Sequence, residues 1–163
     1  MAIKILNKSE KAEIEKKMHE QFGIKEIKEK IISIGKEKLF LFSGNITGEE
    51  IKKLSENTKI ERMGIYFAKI EEKTKEIRLS IDGAQLLGNE VKRNVVELQD
   101  EKDVEEWMQG KELNIETGKR GFVVIKHGED FLGSGKASEN KITNFIPKNR
   151  RLKEKKLTLA TAR

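Results

Sequence analysis

Between Gly121 and Ile146 the chain places three short apolar runs, Gly121 to Lys126, Phe131 to Lys136 and Lys141 to Ile146, at a spacing of about ten residues with polar or glycine-bearing turns between them. Runs this short read as strands, and strands so closely spaced pair with one another, so the pattern predicts a small barrel. Val95 to Leu98 reads as a further strand of the same half. A helix from Asp100 or Glu101 to Met108, stopped by Gly110, follows it. Trp107, the only tryptophan, stands at helical spacing from Val104 and Met108, which marks it as a core anchor rather than a platform for stacking bases.

The first half mixes helix and strand. Asn7-Lys8-Ser9 introduces Ile14, Met18 and Phe22, apolar at every fourth position and closed by Gly23, which predicts an amphipathic helix capped at both ends. Ile31 to Ile34 and Leu39 to Phe42, separated by Gly35-Lys36-Glu37-Lys38, predict a hairpin. Thr47-Gly48-Glu49-Glu50 matches a capping box opening a short helix to about Glu56. Arg62 to Glu71 and Glu76 to Ile81 read as two more strands, the second with Arg78 and Ser80 on an exposed side. Asp82 to Gly88 reads as a helical turn, with Asp82 as its cap. The fold class expected is therefore α+β: an N-terminal mixed α/β domain over 1–88, a barrel over 89–155 and a basic tail over 156–163.

Charge separates the two halves. The last twenty-three residues, Lys141 to Arg163, carry eight Lys and Arg against the single acid Glu154, a net +7, whereas the whole chain is +6. A cationic edge concentrated in this way points to a polyanionic partner. Charged residues make up 38% of the chain, rich in Lys and Glu, a composition that suits a hot environment. The absence of Cys excludes disulfides, a thiol nucleophile and thiolate metal ligation. No run approaches the length of a membrane span and the N-terminus has no signal-peptide pattern, so a soluble, cytoplasmic protein without membrane association is expected.

Catalytic and cofactor patterns fail on inspection. Gly133-Ser134-Gly135-Lys136 suggests a phosphate loop, but Asp130 and Ala137 stand where that loop requires Gly and Ser or Thr, and Ser138 stands where a dinucleotide fingerprint requires Gly. A glycine-kinked strand that lets another backbone approach closely explains it better. His19 and His127 lie in opposite halves with no metal-ligand spacing. No nucleophile, base and oxyanion set emerges, so neither enzyme activity nor a cofactor or metal is expected.

The binding candidates are basic. Lys92 and Arg93 enter the first barrel strand, Lys111 follows Gly110, Lys119 and Arg120 precede Gly121, Lys136 ends the glycine-kinked strand, and Lys148, Arg150 and Arg151 close the domain. Clustered, they would form a groove for a phosphate backbone; singly, Lys and Arg at strand ends also guard edges against aggregation. Aromatic residues are few at 6%, and Phe131 and Phe145 read as inward-facing, which favours recognition of shape and phosphate with few bases splayed.

From Gly121 onward the segment GFVVIKHGEDFLGSGKASENKITNFIPKNRRL resembles the RNA-binding PUA-like domain at the C-terminus of the rRNA cytosine-5 methyltransferases of the RsmB/RsmF group. The elements that carry the resemblance are an apolar strand, Leu132-Gly133-x-Gly135-Lys136, a turn, Asn144, and Pro147-Lys148 followed by Arg151. Val95 to Leu98, Trp107-Met108 and Gly110 extend it to about residue 90. The first 88 residues resemble, more loosely, the α/β domain preceding PUA domains in archaeal and eukaryotic ribosome-biogenesis proteins. The whole thus resembles a stand-alone archaeal pre-PUA plus PUA protein. The resemblance implies binding of structured rRNA or tRNA, in RNA modification or ribosome biogenesis, with an RNA methyltransferase or ribosome-assembly factor as a possible protein partner. It implies phosphate contacts at Lys136, Lys148 and Arg151, and backbone presented to RNA by the Gly110–Lys111 turn and the strand from Gly133 to Lys136, with Gly133, Gly135, Asn144 and Pro147 shaping it. Methyl transfer in that group uses a thiolate and an S-adenosylmethionine domain, and this chain has neither. Two rivals stand beside this reading: a protein adaptor, and an RNA-modifying enzyme centred on Asp82.

Overall fold

The computed structural model describes residues 2–153; the predicted tail at 156–163, with Lys155, Lys156 and Arg163, lies outside the described residues. Strand β1 (Ile3–Ile5) leads into helix α1 (Lys8–Phe22), then β2 (Lys30–Ile34), β3 (Lys38–Phe42), α2 (Gly48–Asn57), β4 (Ile65–Ile70), β5 (Ile77–Leu79) and α3 (Ile81–Leu87). The second half comprises β6 (Val95–Glu97), α4 (Glu101–Met108), β7 (Gly121–His127), β8 (Asp130–Ala137), β9 (Ile142–Asn144) and a 3₁₀ turn at Lys148–Arg150.

Local chemistry explains the helix ends. Asn7 and Glu10 form a reciprocal capping box, the Asn7 amide donating to the Glu10 carboxylate at 3.2 Å and the Glu10 amide to the Asn7 side chain at 2.9 Å. The hydrogen bond from Lys4, reinforced by the Asn7 amide, holds the Glu10 carboxyl below its usual range. At the other end Gly23 takes φ +74 and its N–H closes on His19. Thr47 caps α2 through its hydroxyl, but here the Glu50 carboxylate accepts from that hydroxyl at 3.1 Å rather than from the Thr47 amide. The cap of α3 is Ser80 and not Asp82: the Gly83 amide donates to the Ser80 hydroxyl at 2.9 Å, while that hydroxyl donates to the Tyr66 carbonyl.

The first five strands make one antiparallel sheet in chain order, β1-β2-β3-β4-β5. Its apolar runs are nearly continuous because both faces are covered, and alternate residues serve different cores. Ile31, Leu39 and Leu41 join Ile14, Met18 and Phe22 of α1, whereas Ile32, Ile34 and Phe40 pack with Ile51 of α2 on the other face. The remaining strands form a four-stranded sheet, β6-β7-β8-β9, in which β6 runs parallel to β7 through the α4 crossover. An isolated bridge from Leu113 to Ile142 extends its far edge. Trp107 is fully buried at the centre of this sheet's own cluster, its indole N–H donating to the Leu132 carbonyl at 2.7 Å, as a core anchor should be.

The two sheets share their largest core. Phe122, Val124 and Phe131 of the second pack into the same cluster as α1 and the first sheet, with Ala84 and Leu87 of α3 between them. Space there is tight: a Cβ on Gly83 would collide with the Phe67 carbonyl, and one on Gly88 with the Phe131 ring. None of the helices among the described residues is long and apolar enough to cross a membrane.

Candidate nucleic-acid interface

A cleft of about 300 Å³ opens where the first sheet and α3 meet the segment after β9. Its walls carry four cations, Lys38 at the start of β3, Arg62 before β4, Arg78 on β5 and Arg150 in the 3₁₀ turn, against one acid, Asp82. Tyr66, Phe145 and Pro147 supply apolar and aromatic surface. A cleft of similar size beside β1 and the end of α2 has one Lys, one Glu and no aromatic side chain. A surplus of fixed positive charge in a concave, partly apolar setting concentrates an anionic ligand, and of these two clefts the junction cleft has it.

Each wall has a local cause. The alternation of β5 buries Ile77 and Leu79 and turns Arg78 the other way. There the Arg78 guanidinium lies 4.4 Å from the centre of the Phe145 ring, and Phe145 packs edge-on against Phe122 with centroids 5.8 Å apart. Phe145 is half-buried, packed inward against the shared core as its run of neighbours predicts, with one side toward the cleft. Phe131 is buried. Arg150 approaches Asp82 through three contacts of 3.3 to 3.4 Å, with both side chains 41% exposed. A pair so open contributes little to stability and is readily exchanged for another anion.

The basic residues predicted from sequence do not gather in one groove. Of those residues and their backbone-shaping companions, only Pro147 and Arg150 line the cleft. Lys92 and Arg93 sit at the C-terminus of α1, where their amides donate to the Phe22 carbonyl and the Arg93 guanidinium to the His19 carbonyl at 2.9 Å. Lys119 is half-buried and Arg120 exposed at the entry to β7. Lys136 is exposed, its ammonium 5.4 Å from the Phe122 ring centre, and Lys148 is exposed beside Arg150.

Gly110, Lys111, Asn144 and Arg151 form a separate structural knot. The Asn144 amide group donates to the carbonyls of Trp107 at 2.8 Å and Lys111 at 3.1 Å, and its oxygen accepts from the Ile146 amide at 2.8 Å. That ties β9 to carbonyls at the end of α4 and just beyond it. Arg151 lies across Gly110 and its Nε–H donates to the Ile146 carbonyl at 2.9 Å, so that edge of the guanidinium is engaged with the protein. Gly133 and Gly135 are likewise buried and do not present backbone to solvent. A Cβ on Gly135 would overlap Ile142 and press on the Thr143 carbonyl and the Trp107 ring, the close approach that the kinked-strand reading anticipated.

Sequence reasoning missed Lys38, Arg62, Tyr66 and Arg78. The one available signal was the period-2 pattern that turned Arg78 away from the core.

Residues 93–152 match the family model described as the methyltransferase RsmF PUA domain, so this part of the chain resembles the PUA domain of RsmF-type methyltransferases. The matched segment, Arg93 to Leu152, covers under half of the chain. No curated protein matches the chain.

Proposed function

We propose that this protein binds structured RNA, rRNA or tRNA, as a non-catalytic component of RNA modification or ribosome biogenesis, and that the junction cleft is its contact site. The observation that carries the reading is the cleft itself: four cations from both halves against one acid, with aromatic walls, opening beside a segment similar to a PUA domain. Phosphate contacts supply affinity and the shape of the junction supplies selection. Asp82 serves as the counter-charge of Arg150 rather than as a general acid or base.

A protein partner is the second reading. Ile65 and Leu86, 44% and 52% exposed, line a shallow apolar depression that shares Arg62 and Asp82 with the cleft. A methyltransferase or assembly factor docked there would sit beside bound RNA.

The test is charge reversal where the fold does not depend on the charge. Arg62→Glu with Arg78→Glu is expected to weaken binding of a labelled tRNA or rRNA hairpin about a hundredfold, at about 1.5 kcal/mol per lost charged contact. The salt dependence of the residual binding should also become shallower. Lys148, Arg150 and Arg151 together would be a poorer choice, because Arg151 is part of the Gly110 knot. Unchanged affinity in the double variant, with an unchanged melting temperature, refutes the cleft as the RNA site.

A further inference from the structure

Four side chains beside the cleft form one continuous stack. The Lys136 ammonium lies 5.4 Å from the centre of the Phe122 ring, Phe122 meets Phe145 at 5.8 Å and 65°, and Arg78 covers Phe145 at 4.4 Å. Arg78 is thereby held in place by an aromatic backing, and it lines the cleft. A guanidinium fixed over a ring offers its other planar face for stacking, a surface on which RNA bases are known to lie. Tyr66, the only tyrosine in the chain, forms part of the same wall and is steadied by Phe40 at 5.6 Å. Arg62 and Arg150 supply cationic groups on the same walls, and among the described residues the Arg150 guanidinium is held by the open pair with Asp82.

Size narrows the ligand. About 300 Å³ is at the lower end of small-ligand pockets, roughly 300 to 1,000 Å³, a size that suits one nucleotide better than a base pair with its backbone. Stacking surface on one wall and exchangeable cations around it match one nucleotide's base and phosphate.

We propose that the cleft captures a single unpaired nucleotide from a structured RNA. Its base stacks on Arg78 alongside Tyr66, and its phosphate draws Arg150 away from Asp82 with Arg62 assisting. The inference rests on the RNA-binding reading and deepens it: the recognised feature is an extruded nucleotide, not the duplex around it.

Two dye-labelled RNA hairpins of the same stem sequence separate the possibilities, one fully paired and one with a single bulged nucleotide, titrated with the full chain at fixed salt. The bulged hairpin is expected to bind about tenfold tighter, the contribution of one stacked base. Arg78→Lys keeps the charge but removes the planar face, so it should keep the affinity for the paired hairpin and lose the preference for the bulge. Equal affinity of the unmodified protein for both hairpins overturns the inference and leaves RNA binding intact. A bulge preference that survives in Arg78→Lys overturns the assignment of the stacking surface. Binding to neither hairpin overturns the RNA reading itself.

Discussion

The two halves of this protein meet along two seams that use basic residues in opposite ways. At the end of α1 the chain entering β6 bonds the last helical carbonyls, adding to the Gly23 cap on His19. The Lys92 and Arg93 amides reach the Phe22 carbonyl at 2.7 and 3.3 Å, the Arg93 guanidinium reaches His19, and the Asn94 side chain donates to the Gln21 carbonyl. At the cleft Lys38, Arg62, Arg78 and Arg150 face one another across open space with a single acid. A cation bonded to helix-end carbonyls serves the fold; on the proposed reading, a cation facing other cations across a concavity serves a ligand. Proximity in sequence to a basic run does not distinguish the two.

Gly110→Ala sharpens this comparison with the largest effect expected on stability. Gly110 takes φ +89 and Arg151 lies across it. A side chain would strain the backbone and dislodge Arg151 from the Ile146 carbonyl, at about 2 to 3 kcal/mol. A thermal melt should show a fall of roughly 4 to 12 °C, with affinity for an RNA hairpin unchanged below the transition. A variant that melts normally yet loses RNA would move the Gly110 knot from the fold to the binding surface.

Asn94→Ala probes the α1 seam with a smaller effect. Asn94 sits at φ +58, a region that Asn tolerates and Ala does not, and its side chain bonds the Gln21 carbonyl. The expected loss is about 1 to 2 kcal/mol, or roughly 2 to 8 °C in melting temperature, again without a change in RNA affinity. A weakened RNA complex with normal stability would erase the contrast between the seams.

Much of the fold was legible because its determinants are local. The Asn7 and Gly23 caps, the Thr47 cap, the two-faced strands and the crowded Gly135 each depend on residues a few positions apart, or on burial that any neighbour would impose. The cap of α3 was misread by two residues because Ser80 and Asp82 are both good cap residues, and only the turn of backbone beside Tyr66 selects between them. The cleft was not legible in the same way. Its lining comes from β3, the approach to β4, β5 and the turn after β9, segments that reach from Lys38 to Arg150 along the chain. Periodicity reports that Arg78 points away from one core; it does not report that Phe145 lies underneath. The basic edge identified from charge contributed Arg150, while Arg93 and Arg151 proved to serve backbone carbonyls.

Asp82→Asn gives the smallest effect and bears most directly on what the cleft does. In an RNA-binding cleft this acid repels phosphate and occupies Arg150, yet the pair is open and solvated, so its influence is modest. Neutralising it should tighten RNA binding about two- to threefold at low salt, and the gain should shrink as salt screens the interaction. A catalytic carboxylate would behave otherwise: Asp82→Asn would leave affinity nearly as it was and abolish a reaction on the RNA, visible as a lost modification when product RNA is compared by mass spectrometry. Because an amide can still accept from Arg150 but carries no charge, the substitution preserves the shape of the cleft and isolates the electrostatic effect. Tighter binding without a change in the RNA therefore places Asp82 as the counter-ion that keeps Arg150 poised, and weaker binding would instead make it the residue that positions Arg150 for phosphate.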